Sequence, residues 1–488
     1  MDLIASFLRV VAPGAAVRRV QNQIAFDTLT KAKRRFEGAG RGRRFNDTGI
    51  VTGSQNTDIN ENLITLRQRS RDAAKNNPYA KNGVRRIANN VIGTGILANP
   101  VAPNNTALKA AKKVWQSWAD FTHCDFDGLQ NFYGIEHLVM KTVAKSGECY
   151  VRRVWKKKKK SKSIIPLRLQ VLDPDFIDHG KNSPYPLDNG EYTVAGIQYN
   201  KDGERIAYWV FDRHPNEVYA ESKPVPAADI IHVFEVDDPG QMHGVPFASS
   251  ILLRMQDFDD FEDAQLMKQK IAACFSAFVT QSADNGIGAS DGEELTERVE
   301  PGIIQRLNPG EEVTFASPPT VEGFRDFSRQ NLQGQAAGMG MSYEAYSGDL
   351  SGVNFSSGRM GWLEFQRGVE ILQWNMIIPM FLNKVWDWFI QAAYIAGAIR
   401  TMDISVTWTA PRREMIDPLK EIQAKIKQIR AGLISWQDAV RELGYNPDEI
   451  ITQMSQDKNR FDSNGLMPES DPRYDADKLS KVEETETN

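Results

Sequence analysis

Residues 341–367 read Met-Ser-Tyr-Glu-Ala-Tyr-Ser-Gly-Asp-Leu-Ser-Gly-Val-Asn-Phe-Ser-Ser-Gly-Arg-Met-Gly-Trp-Leu-Glu-Phe-Gln-Arg. Gly and Ser crowd the middle, from Tyr346 to Gly358, and helical patterns stand on both sides. Gly and Ser supply turn dihedrals and little core volume, so the pattern predicts a mobile loop between two helices. Taken alone, such a loop reads as an exposed linker. Its neighbours decide what it links.

Upstream, Ala248 to Phe278 runs without internal Gly or Pro. It predicts a helix of about 45 Å. Apolar residues recur at Ile251, Met255, Phe258, Phe261, Ala264, Met267, Ile271, Cys274 and Phe278. Their mean spacing of about 3.4 is nearer a coiled-coil seam than a lone surface helix. The other face carries Asp257, Asp259, Asp260, Glu262 and Asp263. Residues 281–320 are rich in Gly, Pro and acids, with strand-like Ile303 to Leu307 and Val313 to Phe315, and read as a small protruding module. A shorter helix is expected over Phe324 to Met341. After the loop comes a long apolar helix, Arg359 to Ala398, kinked at Pro379, then a strand, Ile404 to Thr409. Asp417-Pro418 opens a further helix, with Asp at N-cap and Pro at N1. Its stripe is Ile422, Ile426, Ile429 and Leu433, with Gly432 at the C-cap position. Another helix runs from Ser435 to Gly444, and beyond Gln456 the polar tail reads as disordered.

Toward the N-terminus, residues 1–46 form a basic arm. It suits an acidic neighbour subunit or DNA, or a solvated tail. Helices are expected at Glu61 to Asn76, Pro78 to Val91, 106 to 120 (with Trp115 and Trp118 on one side) and Phe132 to Ala144. Gly93-Thr-Gly-Ile-Leu-Ala98 has the letters of a dinucleotide fingerprint but lacks the preceding strand and following helix it needs. Strands follow at Glu148 to Trp155, Leu167 to Leu172, Gly196 to Tyr199, Ile206 to Phe211 and Ile230 to Phe234. The lysines from Lys156 to Lys160, with Lys162, sit where a hairpin tip belongs, exposed or in contact with DNA or an acidic partner. Residues 130–236 thus read as an α+β domain.

The 488 residues suffice for two to four domains. Hydrophobic residues make up 41%, which excludes wholesale disorder. A net charge of -4 argues against tight sequence-independent binding to DNA phosphates. Cys124, Cys149 and Cys274 form no CxxC, which suits reduced thiols in a cytoplasmic setting. Met1 to Gly14 has an acidic second residue and Arg9 inside its apolar run, so it is not read as a signal peptide. The apolar run Ile371 to Ile399 contains Asn375, Pro379, Lys384 and Asp387, so no membrane span is expected.

No GxxxxGK[ST], HExxH, CxxC or GxSxG occurs, so neither an ATP motor, a zinc site nor a serine hydrolase is expected. Asp259-Asp260-Phe261-Glu262-Asp263 makes a DDxxD pattern, with Asp259 and Asp263 on one helical face. It resembles the first metal motif of terpene and prenyl synthases, in which carboxylates hold Mg²⁺ on a diphosphate. The second acidic motif of those enzymes is missing. A Mg-dependent diphosphate-binding enzyme is therefore the alternative reading, and a solvated or lumen-facing acidic stripe the simpler one.

Four stretches, in order, resemble the lambda-like portal proteins of tailed bacteriophages. They are Asn77-Pro78-Tyr79-Ala80 through Ile96; Val225 to Phe234 with Pro239-Gly240-Gln241 and Gly244-Val245-Pro246; Glu300 to Gln305 with Asn308 to Val313; and Ser342 to Ser357. The resemblance spans about Arg69 to Asn464. It implies an α+β portal fold with wing, stem, clip and crown, assembled as a dodecameric ring at one capsid vertex of the virion. Such a ring assembles in the host cytoplasm. Double-stranded DNA is driven through its channel by the terminase large subunit and leaves at infection. Implied neighbours are the major capsid or scaffold protein and head-completion proteins, with no membrane, no cofactor, no metal and no catalytic residue. The segmentation becomes basic arm 1–46, wing 47–245, stem helix 246–280, clip 281–320, second stem helix 321–342, tunnel loop 343–358, channel-bordering helix and return strand 359–411, crown 412–455 and tail 456–488. Tyr346, Ser347, Gly348, Asp349, Leu350, Ser351, Gly352, Val353, Asn354 and Phe355 would be DNA-proximal, Asp349 and Asn354 through their polar groups. The five stem carboxylates would face the lumen and repel phosphate. A capsid scaffold without a channel is the third reading.

Overall fold

A computed structural model describes residues 54–156, 164–183, 189–217, 219–273, 277–281, 311–315, 323–411, 415 and 417–466. The basic arm, Lys157 to Lys160 with Lys162, the strand expected at 303–307 and the chain beyond 466 lie outside them.

Helix α1, Gln55–Asn76, and helix α2, Pro78–Val91, meet at Asn77. Asn77 Oδ1 accepts from the amides of Tyr79 and Ala80, and Pro78 occupies N1, where no amide partner is needed. Strand β1, Leu97–Val101, then leads to helix α3, Asn105–Ala119, and helix α4, Phe132–Ser146. Trp115 and Trp118 of α3 are buried. The Trp115 ring lies 5.1 Å from Phe132, 5.1 Å from Trp386 and 4.9 Å from Phe389. Burying such rings contributes most of the apolar area here.

Strands β2, Glu148–Trp155, and β3, Leu167–Leu172, pair antiparallel with Trp155 opposite Leu167. A second sheet holds β4, Tyr192–Val194, β5, Ile197–Tyr199, β6, Arg205–Phe211, and β7, Ser222–Pro226, in sequential order. Strand β8, Ile230–Phe234, returns to the first sheet, whose order is β3-β2-β8. The α+β reading of this region holds. A separate small core of Tyr150, Leu172, Ile177, Ile197, Tyr199 and Tyr208 fills the space between the sheets.

The long helix is shorter than its sequence pattern suggests. A 3-10 turn, Ser249–Ile251, leads into helix α5, Leu252–Ala273. Residues 277–281 form strand β9, paired with β10, Glu311–Phe315, so Phe278 faces Thr314 across a ladder. The Phe-Val-Thr run there favours strand. Helix α6, Phe324–Gly338, packs antiparallel on α5: Phe261 lies 4.4 Å from Phe327, while Ile251 meets Gly338. A Cβ at Gly334 would collide with the Arg254 guanidinium, and one at Gly338 with Cγ2 of Ile251, so small residues set the helix separation.

The coiled-coil-like seam divides. Ile251, Met255 and Phe258 are buried, whereas Met267 is 58% exposed. An apolar repeat shorter than 3.6 residues drifts around a straight helix. The stripe therefore faces the body at the start of α5 and leaves it toward the end.

The Gly- and Ser-rich stretch is more ordered than expected. Helix α7, Tyr343–Ser347, is capped by Ser342, whose hydroxyl accepts from the Ala345 amide, and ends at Gly348 with φ 77°. Helix α8, Phe355–Ile371, begins in a capping box of Asn354 and Ser357, four residues earlier than the pattern implied. The loop proper is residues 348–354. A π-helical segment, Leu372–Leu382, carries Pro379, and helix α9, Asn383–Ile395, follows. The wider π turn accommodates a proline that lacks an amide donor, in place of the expected simple kink.

Strand β11, Ser405–Thr409, pairs antiparallel with β1, so Leu97 lies opposite Thr409. Helices α10, Pro418–Arg430, α11, Trp436–Glu442, and α12, Pro447–Ser463, complete the described chain. Helix α12 corrects the tail boundary at Gln456. The Asn446-Pro447-Asp448-Glu449 start and Arg460 in the last turn are good helix-end signals, and helix continues through them.

Candidate functional site

The base of the 348–354 loop is fixed. Tyr346 is fully buried, its hydroxyl donates to Gln335 Oε1 at 3.0 Å, and its ring stacks on Tyr79 at 6.1 Å. Asn82 Nδ2 donates to the carbonyls of Ala345 at 3.1 Å and Tyr346 at 2.7 Å. Burial pushes the Tyr346 phenol well up from its ordinary value, so it stays a neutral donor.

The polar groups expected to face DNA are engaged locally. Asp349 accepts from the Ser351 amide at 2.9 Å and from the Tyr343 hydroxyl at 2.9 Å. Hydrogen bonding by Ser351, then Tyr343, pulls the Asp349 carboxyl down to about 2. Asn354 Oδ1 accepts from the Ser357 amide at 2.8 Å as a helix cap. Ser347 Oγ donates back to the Tyr343 carbonyl at 2.7 Å. The Arg329 guanidinium of α6 lies over the Tyr343 ring at 5.4 Å and beside Gly352. The exposed tip is therefore Leu350, Ser351 and Gly352, with Gly348 as helix cap and Val353 half-buried.

The five carboxylates of α5 do not share one face. Asp257, Asp260 and Asp263 are exposed along one side. Asp259 is half-buried and accepts from Asn77 Nδ2 at 2.8 Å, tying α5 to the start of α2. Glu262 is half-buried too, and burial, then Asp259 and Asp263, raise its carboxyl. By helical rotation the five spread over about 220°, with Asp263 only about 40° from Asp259. Asp259 is half-buried with its Oδ1 taken by Asn77, so of the pair that a Mg²⁺ diphosphate site would use only Asp263 stands exposed.

Sequence reasoning missed a dense buried polar cluster. Arg67 of α1 and Glu148 of β2 are both fully buried and pair at 2.8 Å. Glu148 also accepts from the Gly244 amide at 3.0 Å, and lies 2.9 Å from His232 Nε2 and 3.1 Å from His243 Nδ1. Gly147 and Gly244 make this possible: their backbones touch so closely that a Cβ on either would overlap the other. Burial alone would raise the Glu148 carboxyl. The His243 and His232 imidazoles outweigh it and hold it well below the usual range.

Glu148, His232 and His243 have the residue types of a metal site, with ligand atoms within 4.8 Å of one another. The hydrogen bonds exclude it. Arg205 NH1 approaches His232 Nδ1 at 3.2 Å, and arginine only donates. His232 therefore accepts at Nδ1 and carries its proton on Nε2, the atom a metal would need. Burial lowers His232 to about 4, against the pull of Glu148. His179 Nε2 likewise faces Arg67 NH1 at 3.1 Å, and burial, then His243 and Arg67, lower it to about 3. Asp173, Asp175 and His214 form a second such group, but Arg71 already bridges both aspartates at 2.5 Å each. Both clusters pin α1 against β2, β8 and the turn at Pro174–Phe176.

Residues 41–373 match the family described as phage portal protein, lambda family, and the chain belongs to that family. It is 26% identical over 456 residues to the probable portal protein of Halomonas phage phiHAP-1, covering 85% of each chain. It is 22% identical over 489 residues to portal protein B of Escherichia phage lambda, covering 88% of this chain and 90% of that one. Among solved structures it resembles the neck of the native gene transfer agent particle, with TM-score 0.46, 14% identity and coverage of 79% of this chain and 94% of that one. It also resembles an HK97 family phage portal protein from Corynebacterium diphtheriae, with TM-score 0.32, 10% identity and coverage of 74% and 95%. The diphosphate-enzyme and channel-free scaffold readings find no support in these relatives.

Proposed function

We propose that copies of this chain close into a dodecameric ring at one capsid vertex, and that double-stranded DNA enters and leaves through its channel. The observation that carries the reading is the α5/α6 hairpin. One side of α5 packs on the body, and the other presents Asp257, Asp260 and Asp263 to solvent. Around a ring axis these carboxylates would line the lumen and repel phosphate, letting a duplex slide. A ring follows from a head-to-tail interface that closes. The 348–354 loop, held at both ends, would border the same channel.

In this reading the terminase large subunit docks at the clip end beyond β9 and β10. The capsid or scaffold protein surrounds the wing, and head-completion proteins take over the clip after filling. In this reading the chain does no bond chemistry itself, and the buried Glu148 is engaged by Arg67, His232 and His243. Among the described residues no helix is long and apolar enough to cross a membrane. The test is the mass and image of the purified full-length protein. A closed ring with a central hole, at twelve times the 54.9 kDa chain, is expected. Monomers, open filaments or a particle without a hole refute it. In a packaging assay, replacing Asp257, Asp260 and Asp263 together by lysine should slow DNA entry. Unchanged packaging removes these residues from the lumen.

A further inference from the structure

From Asp417 to Leu466 the chain forms three helices, yet only Ala439, Asn446 and Pro447 are buried among these residues. Helices of this length are marginal in water unless an apolar face is covered. Two such faces are open. On α10, Leu419, Ile422 and Ile426 are 67%, 46% and 43% exposed and lie along one stripe at helical spacing. On α12, Ile451 and Met454 are 50% and 42% exposed, next to half-buried Ile450. Neither stripe covers the other within the chain. Helix α11 lies between, and the inner side of α10 is taken up by the Lys425–Glu442 pair to α11. Helix α12 is tied at its start to α3 through Lys112 and Asp448 at 3.1 Å.

The two faces carry opposite charge. Helix α10 has Lys420, Lys425, Lys427 and Arg430 against the single acid Glu421. Helix α12 has Asp448, Glu449, Asp457 and Asp462 against Lys458 and Arg460. By helical rotation Arg430 shares the stripe of Leu419 and Ile426, with Lys427 at its edge, while Asp457 and Asp462 flank the stripe of Ile451 and Met454, within which Lys458 also lies. The helices are also of similar length, about 20 Å and about 25 Å.

We infer that α10 of one copy packs its apolar, basic stripe on the apolar, acid-flanked stripe of α12 of the next copy, so that the crown is a ring-closing interface. Two different faces meeting head to tail is the geometry that a closed ring requires and a two-fold dimer does not. The occupant is a second copy because its own α12 offers both the apolar length and the opposite sign. This deepens the ring reading and rests on it, so the test is run on particles already shown to be rings.

The full-length Ile426→Cys/Met454→Cys double variant is treated with a short bismaleimide, beside the wild type and each single variant. The expected result is a ladder of covalent multimers from the double variant alone. In parallel, Lys427→Glu/Arg430→Glu should dissociate the ring at a salt concentration at least twofold lower than the wild type tolerates. Adding Asp457→Lys should restore part of that loss. Intact rings that give no ladder, an internally linked monomer only, or a charge-reversed ring with unchanged salt tolerance each overturn the inference while leaving the ring standing. A wild type that forms no ring fails the ring reading first, and this interface with it.

Discussion

Acidification should loosen the β3-β2-β8 sheet and its hold on α1 before it protonates the carboxylates generally. The perturbation is a change from about pH 7 to about pH 5. In the unfolded chain His232 and His179 titrate near the ordinary value of about 6.5. In the folded chain they sit at about 4 and about 3, because burial disfavours the imidazolium and Arg205 and Arg67 add donors at the nitrogens that would take up the proton. The folded pKa values are depressed, so the unfolded state binds more protons as pH falls. Stability then drops from about pH 6.5 downward and levels off only below the folded values. Between about pH 7 and about pH 5 each imidazole is worth about 2 kcal/mol, and the pair about 4 kcal/mol. Glu148, whose folded carboxyl is depressed, adds its own loss only below the ordinary carboxylate range. Hydrogen exchange of peptides covering β2 and β8, run at both pH values and corrected for intrinsic rates, reads the effect where it arises. His232→Gln preserves the geometry, since an amide can accept from Arg205 and donate to Glu148 but does not titrate. It should remove about half the pH dependence. Equal protection of the wild type at the two pH values, or an unchanged slope in His232→Gln, would refute the tautomer assignment.

Arg67→Met should destabilise the fold by about 3–5 kcal/mol, because it strands a fully buried carboxylate; a loss under about 1 kcal/mol in urea unfolding would mean that Glu148 finds water or another donor. Gly338→Val should push α5 from α6 against Ile251, lowering stability by about 1–3 kcal/mol, as thermal unfolding would report, whereas a solvent-facing substitution such as Asp260→Asn should leave the unfolding midpoint within error. Tyr346→Phe should cost about 1 kcal/mol through the lost bond to Gln335 and raise protease cleavage within 343–358, and unchanged cleavage would contradict its anchoring role.

What the sequence made legible is what adjacent residues settle among themselves. Asn77-Pro78 and Asp417-Pro418 mark helix starts because cap and proline act within one turn, and both stand where expected. Strands β2 and β3 were readable because their β-branched and aromatic residues, and the alternation along β3, are local signals. The polar cluster was not. Arg67, Glu148, His232 and His243 lie 81 to 95 positions apart where they meet Glu148, so no spacing announces them. The β1–β11 pair joins residues some 300 positions apart, and β1 contains a proline that argues locally against a strand. The Gly- and Ser-rich stretch misled for a different reason. Its Ser342, Gly348 and Asn354 are cap residues, and clustered caps resemble a floppy linker until the short helices between them are seen.

That correction changes how the loop can act in the proposed ring. A free loop of thirteen residues could reach across a channel and wrap a duplex. Residues 348–354 are seven, fixed at one end by buried Tyr346 and at the other by the capping box of Asn354. With both ends held, their tip can move no more than about 12 Å, half of a contour of about 3.4 Å per residue. The exposed tip bears Leu350, Ser351 and Gly352, with no cation, and its one acid is folded back onto Tyr343 and Ser351. Such a tip offers no charge partner to phosphate and no groove-reading donor array. Arg329, the nearby guanidinium, is held over Tyr343 at the base. Contact with DNA would therefore be steric and sequence-independent. The α5 carboxylates would have the same effect farther along the channel, discouraging adhesion so that a passing duplex is guided without being held.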